Sequence, residues 1–192
     1  MTASFTPQSL AKRLKNETSA EHEYMHQLMA KNQVFEDKQN YAQFTLAQYY
    51  FQKNIEVLFG LSEVSALISD LDIRGRSQAA LLDLQDLAVQ PENLELETET
   101  TDFHAALGWI YVSEGSTLGA AFLFRQAERA FGFSGEFAAR NLAAYPEGRA
   151  KVWKHFIEEL DRADFSSAEQ DRVVEGAKQA FNYYGLLLQK AH

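Results

Sequence analysis

The stretch Gly108-Trp-Ile-Tyr-Val-Ser-Glu-Gly115-Ser-Thr-Leu-Gly119-Ala-Ala-Phe-Leu-Phe124 decides the fold of this chain. It is an apolar run that carries three glycines at interior helical positions. Each interior glycine costs a helix roughly 1 kcal/mol relative to alanine. Such a cost indicates that something approaches the backbone closely, either another helix or a ligand. Three of the chain's ten glycines on one helix, with Ser116 among them, favour a ligand.

The same stretch could be mistaken for a membrane span. Residues 105–124 carry a single charge, Glu114, and contain the Gly115-x-x-x-Gly119 spacing of packed transmembrane helices. A glutamate at mid-membrane would cost roughly 2.5–3.5 kcal/mol on insertion scales. We therefore predict a buried central helix and no membrane span.

The rest of the chain also repeats apolar residues at helical spacing. Start signals include Thr6-Pro7, Asp37, Pro146 and Ser167. We predict an all-α, single-domain multi-helix bundle over residues 1–192, with a loop at 91–98. The predicted helices span about 7–30, 37–58, 72–89, 102–130, 134–142, 146–163 and 167–190.

Composition excludes several classes of function. The chain has no cysteine, which removes disulfides, thiolate metal sites and cysteine nucleophiles. The formal net charge of −9 argues against nucleic acid as a partner. No Gly-x-Gly-x-x-Gly fingerprint occurs, so we expect no nicotinamide or flavin site. Residues 1–7 lack the pattern of a signal peptide, and we expect a cytoplasmic protein.

His22 and His26 are the candidate metal ligands. They lie four residues apart, on one face of a predicted helix. They could share a metal ion, or they could be one surface histidine and one packing histidine. Glu23-x-x-His26 also matches one half of a ferritin-like di-iron site, but the chain has no second copy of that motif.

Further polar groups could accompany a ligand bound at His22. Lys15 lies about two turns before His22 and could meet an anionic group, or could simply be solvated. Gln48 and Gln52 lie one turn apart on the second predicted helix. They could be ordinary surface residues, or they could hold water beside a cavity.

Taken together, these blocks resemble bacterial haem oxygenases of the iron-acquisition type. The resemblance covers nearly the whole chain, and the His22 block and the glycine block occur together in the expected order. The matching blocks are Ala11-Lys-Arg-Leu-Lys15, Glu17-Thr-Ser-Ala-x-His22, Gly108–Tyr111, Glu114–Phe124, Gly135-Glu136, Ala139-Arg140 and Pro146-x-Gly-Arg149-x-Lys151-x-Trp153.

The resemblance implies that haem b lies between a proximal and a distal helix, as both substrate and cofactor. His22 matches the axial iron ligand, and Glu17 or Glu21 could pair with its other nitrogen. Lys15 and Tyr111 match residues that contact the haem propionates. The other implied site residues are Gly115, Ser116 and Gly119 on the distal helix, Gln48 and Gln52 in a distal water network, and Asn141, which also stands at the haem site.

Some positions depart from relatives of this type. One relative has histidine in place of Gln52, and another has histidine in place of Asn141. Mammalian-type enzymes have an aspartate about where Ser116 stands. These departures affect the proton relay and leave the implied haem site intact.

The resemblance also implies an activity. O2 and a reductant would cleave haem to biliverdin, of the IXα type, with release of CO and ferrous iron for iron acquisition. Electrons would come from a separate ferredoxin-, flavin- or NADPH-linked reductase, and the protein is expected to be a monomer. The alternatives are a non-catalytic haem carrier and a non-haem di-iron bundle.

Overall fold

The structure is a computed structural model that describes residues 8–190. Within that range it contains eight α-helices and no β-strand beyond isolated bridges. The helices are α1 (Leu10–Glu17), α2 (Ser19–Lys31), α3 (Lys38–Leu58), α4 (Ser62–Leu67), α5 (Ser77–Asp86), α6 (Phe103–Phe131), α7 (Arg149–Arg162) and α8 (Ser167–Lys190). Short 3-10 helices span Leu71–Ile73 and Asn141–Ala143. The all-α prediction is confirmed.

The core forms around α6 and α8, which share the most extensive helix–helix interface. α2 and α3 also pack on α8, while α7 packs on α6. The first half of α6 is buried from Ala106 to Glu114. No helix among residues 8–190 is both long enough and apolar enough to cross a membrane. The prediction of a buried central helix is therefore confirmed.

Local signals set the helix starts that were predicted well. The Asp37 side chain accepts a hydrogen bond from the Asn40 backbone N–H at 2.8 Å, and Asp102 caps α6 in the same way. α8 begins at the predicted Ser167. The predicted start at Thr6-Pro7 lies outside the described residues.

The predicted helix over 7–30 is wrong as one element. It is two helices, α1 and α2, separated at Thr18. The Thr18 hydroxyl donates to the Leu14 carbonyl at 2.9 Å, and the Thr18 backbone has φ −116° and ψ 14°. A threonine that bonds back to its own helix competes with regular helical geometry.

The predicted helix over 134–142 is also wrong. Two carboxylates on α5 hold the backbone N–H groups that such a helix would need. Asp86 accepts from the Ala138 N–H, and Asp83 accepts from those of Arg140 and Asn141, each at 2.9 Å. In this segment, hydrogen bonds to α5 therefore take the place of the backbone hydrogen bonds that a helix would make.

The predicted helix over 72–89 is shorter than expected, and α4 was not predicted. α5 starts at Ser77 because Arg74, which is fully buried, turns inward to an ion pair with Glu114 on α6. α5 ends at Asp86, and Ala88 then adopts a left-handed conformation with φ 57°.

Candidate functional site

His22 lies on the exposed side of α2, one turn after the break at Thr18. The edge of its ring meets Phe181 of α8, with the ring centroids 6.3 Å apart and the planes at 90°. His26 follows one turn later, with a centroid separation of 4.7 Å. Phe181, which is buried, thus supports one side of the His22 imidazole and leaves the other side accessible.

The surroundings of His22 favour its neutral form. Burial lowers the pKa of His22 below its ordinary 6.5, and repulsion from His26 lowers it further. Among residues 8–190, neither ring nitrogen of His22 has a hydrogen-bond partner. A neutral imidazole with a free nitrogen is the form that ligates iron.

Two sequence interpretations around His22 are not supported. Glu17 forms an ion pair with Arg13 at 2.5 Å and has no described hydrogen bond to His22, so its pairing with His22 stays a prediction. The di-iron alternative requires Glu23 and His26 to join further ligands. In the part of the chain that the structure describes, neither belongs to a group of three or more clustered metal-ligating side chains.

Three glycines share one face of α6, because residues 108, 115 and 119 lie within about 40° of one another at 100° per residue. A Cβ atom on Gly108 would lie 2.1 Å from the Val173 carbonyl oxygen. One on Gly115 would meet the Trp153 ring at 3.5 Å, an ordinary contact. One on Gly119 would have nothing within 4 Å. Gly108 therefore serves helix packing, and its assignment to a ligand is wrong.

The second half of α6 exposes apolar side chains beside Gly119. Leu118 is 42% exposed and Phe122 is 57% exposed. Together with Gly119, these two residues form an accessible surface of apolar side chains and bare backbone, which we call the distal face. A flat apolar ligand fits such a surface, because it buries hydrophobic area and meets no side chain at Gly119.

The predicted polar residues beside α6 are brought together. The Gln48 side chain donates to the Tyr184 hydroxyl at 2.7 Å and accepts from the Asn141 amide at 3.2 Å. Gln52, which is fully buried, donates to the Ser113 hydroxyl at 3.2 Å. These two sets of contacts, which together we call the polar network, link α3 with α6, with α8 and with the segment around Asn141.

Arg76 and Ser113 extend the network, and sequence reasoning missed both. The Arg76 guanidinium donates to the Ser113 hydroxyl at 2.8 Å and to the Ser113 carbonyl at 3.1 Å. The exposed Ser116 hydroxyl donates to the same carbonyl at 2.6 Å. A buried cation thus lies behind Ser116. In the sequence Arg76 falls within the predicted helix over 72–89, where a charged residue ordinarily indicates a solvated face.

Lys15 and Tyr111, the predicted propionate contacts, occupy different surroundings. Lys15 is exposed on α1 and makes no ion pair with any of residues 8–190. Tyr111 is buried against Trp153, with the ring centroids 5.4 Å apart. Burial raises the pKa of Tyr111 to about 12, so its hydroxyl remains a hydrogen-bond donor at neutral pH.

Glu114, the lone charge of the apolar stretch, is buried in an ion-paired cluster. It pairs with Arg74 and accepts from the Tyr145 hydroxyl at 2.8 and 2.9 Å. Arg74 also pairs with Asp70, with the Nε–Oδ1 distance 2.6 Å. A buried carboxylate that is fully partnered explains how the central helix tolerates a charge.

Comparisons with known proteins agree with this geometry. The sequence model of the family described as "Heme oxygenase" matches residues 8–190. A curated relative, "Heme oxygenase PigA" of Pseudomonas aeruginosa, is 37% identical over 182 residues, covering 94% of this chain and 91% of the relative.

Solved structures give the same result. A Neisseria meningitidis heme oxygenase with NO and CO bound aligns with a TM-score of 0.89 and 34% identity, over 96% of this chain and 92% of that chain. Heme oxygenase-1 of Synechocystis in complex with heme aligns with a TM-score of 0.77 at 16% identity, covering 95% of this chain and 92% of that chain. This second match shows a shared fold.

Proposed function

This chain belongs to the haem oxygenase family, and from that premise we propose that His22 and the distal face of α6 hold the haem that the protein degrades to biliverdin. The activity is oxidative, and haem is both substrate and ligand. Bound haem supplies the iron that activates O2 and the meso carbon that is oxidised.

The observation that carries the proposal is the pairing of two features on separate helices. His22 on α2 presents a neutral imidazole with a free nitrogen. On α6, a Cβ atom at Gly119 would meet nothing within 4 Å beyond its own stretch of helix. α2 and α6 both pack on α8, which therefore fixes their mutual placement. We assign His22 as the axial iron ligand, and Gly115 and Gly119 as the backbone that faces the reacting side of the ring.

Ser116 and the polar network would supply protons on that side. The Ser116 hydroxyl is exposed and is held by the Ser113 carbonyl. Gln48, Gln52 and Asn141 form the adjoining hydrogen-bonded network. Amide and hydroxyl groups order water, and they lack the acid strength that would split the O–O bond prematurely. In this assignment Gln52 and Asn141 stand where the resemblance places histidines.

Lys15 and Tyr111 would orient the haem through its propionates. Lys15 offers an ammonium on the α1 surface, and Tyr111 offers a hydroxyl that stays protonated at neutral pH. Because Lys15 and Tyr111 match the pattern that the resemblance links to cleavage at the α-meso edge, we propose biliverdin IXα as the product, with CO and ferrous iron released.

Electrons would come from a separate ferredoxin-, flavin- or NADPH-linked donor, since the chain has no Gly-x-Gly-x-x-Gly fingerprint. The iron set free would serve iron acquisition. We expect the enzyme to act as a cytoplasmic monomer.

The test adds hemin to the purified protein, then ascorbate under air, and follows the visible spectrum. The expected result is a Soret band that decays to a biliverdin spectrum, with product chromatography giving the IXα isomer. His22→Ala should lose the axial bond and all turnover, because it removes the imidazole assigned as the iron ligand.

His26→Ala is the matched control, since His26 lies one turn away on the same exposed side of α2. It should bind and degrade haem like the parent protein. Loss of haem binding in the His26 variant alone would overturn the assignment. A Soret band that persists under several reductants would instead identify a haem carrier.

A further inference from the structure

A second cluster of ligating side chains lies at the outer side of α7, away from His22. Asp70 precedes the 3-10 helix, while His155 and Glu159 lie one turn apart on α7. One ligand atom from each of the three lies within 4.8 Å of the others. Among residues 8–190 this is the one group of three or more histidine, aspartate or glutamate side chains that is so arranged.

The distances suit a single metal ion. The His155 Nε2 atom lies 3.3 Å from Glu159 Oε1 and 3.9 Å from Asp70 Oδ2. Two ligands that each lie about 2.1 Å from one ion are separated by roughly 3.4 Å in a tetrahedral arrangement and at most about 4.2 Å. The ligand oxygens of Asp70 and Glu159 lie within 4.8 Å of one another.

Glu159 gives independent support, because it is buried without full hydrogen bonding. Its residue is only 8% exposed, yet Oε2 has no hydrogen-bond partner among the described residues. The other oxygen accepts from the Ser69 hydroxyl at 2.6 Å and from the Ser69 backbone N–H at 3.1 Å. A buried carboxylate oxygen without a partner is costly, and a cation at the cluster would satisfy it.

The local charge also favours a cation. Asp70 and Glu114 both pair with the Arg74 guanidinium, and Glu159 adds a third carboxylate beside Asp70. Formally these four groups carry −2, which one divalent ion would balance. Ser69 holds Glu159 in place, as partners of metal-bound carboxylates commonly do.

We propose that Asp70, His155 and Glu159 bind a divalent first-row transition-metal ion at a site separate from the haem. One imidazole and two carboxylates favour ions such as Zn²⁺, Mn²⁺ or Fe²⁺ over Ca²⁺, which prefers oxygen ligands alone. In the structure the His155 Nε2 atom lies 3.3 Å from Glu159 Oε1, where one ion could join the two.

The test is calorimetric titration of the full-length, haem-loaded protein with ZnCl2, a redox-silent probe. The expected result is one tight equivalent of Zn²⁺. Glu159→Gln and His155→Ala should each weaken binding by at least the roughly 10–100-fold that loss of an outer-shell partner costs.

His104→Ala is the matched control, because His104 lies 3.5 Å from Glu169 and 3.9 Å from Asp102 without joining a three-ligand cluster. It and His26→Ala should bind Zn²⁺ like the parent protein.

The proposal is overturned if the parent takes up no Zn²⁺, if Glu159→Gln and His155→Ala bind it unchanged, or if only His26→Ala loses it. Circular dichroism checks that each variant is folded. The His155 side chain is 43% exposed, so His155→Ala should stay folded and decide the test even if Glu159→Gln unfolds. Because the readout is metal binding, its failure leaves the proposed haem reaction untouched.

Discussion

The two halves of α6 use the same residue type on the same face for opposite purposes. At Gly108 the helix lies so close to α8 that a Cβ atom would collide with backbone on residues 173 and 177, at 2.1 and 2.4 Å. At Gly119, three turns further on, a Cβ atom would meet nothing. Glycine in the first half permits packing, whereas glycine in the second half has no packing reason. In the sequence, Gly108 and Gly119 look the same, because both lie at interior positions on one face of the helix. Only the structure distinguishes a glycine that permits close packing from one that leaves the helix surface without a side chain.

The largest effect is expected from Gly108→Ala. Its methyl group would overlap the α8 backbone, which cannot move aside as a flexible side chain could. Overpacking of this kind should lower the free energy of unfolding by about 3 kcal/mol or more. Urea unfolding checks this value, and an unchanged midpoint would contradict the close packing of α6 on α8.

Gly119→Leu should affect chemistry while leaving the fold intact. The new side chain would project from the open distal face, where the proposed site has O2 reach the haem. We expect ferric haem still to bind and turnover to fall by roughly 100-fold, as for other small misplacements at a reacting centre. The hemin and ascorbate assay measures both, and turnover at the parent rate would contradict the role of the bare backbone.

Ser113 and Ser116 extend the comparison to a second residue type. Ser113 is fully buried and bonds to Gln52 and Arg76, so Ser113→Ala should cost about 2 kcal/mol of stability. Ser116 is exposed, so Ser116→Ala should leave stability nearly unchanged and slow turnover. Thermal melts measure the loss of stability in Ser113→Ala, and the ascorbate assay measures the loss of turnover in Ser116→Ala. A destabilised Ser116→Ala with parent-like turnover would contradict the role assigned to Ser116.

The smallest expected effect is a gain. Gly119→Ala adds helix propensity where nothing obstructs a methyl group, and should raise the free energy of unfolding by about 0.4–1 kcal/mol. It also serves as the control for Gly119→Leu, because a methyl group is too small to cover the distal face. A loss of stability would mean that the space at Gly119 is smaller than the structure indicates.

Much of the fold was predictable because its signals are local. The caps Asp37 and Asp102 set the starts of α3 and α6 in the sequence and in the structure alike. The loop around Asn141 was not predictable, because Asp83 and Asp86 hold its backbone from α5, more than fifty residues away. No local pattern announces such a contact.

The candidate site, like the fold, contains residues that the sequence indicated and residues that only the structure revealed. His22, Gly119 and Gln52 were found through their spacing and through resemblance to haem oxygenases. Arg76 was missed because an arginine in a predicted helix ordinarily indicates a solvated face, and nothing in the sequence shows that it donates to Ser113. The structure also separates Gly108 from the site, which spacing alone could not do.

The most direct test of the account is the absorption spectrum of haem added to His22→Gly, recorded with and without free imidazole. The account predicts that the variant loses the spectrum of histidine-ligated haem and that imidazole, filling the space left by the missing side chain, restores it. A parent-like spectrum in His22→Gly without imidazole would show that another residue ligates the iron.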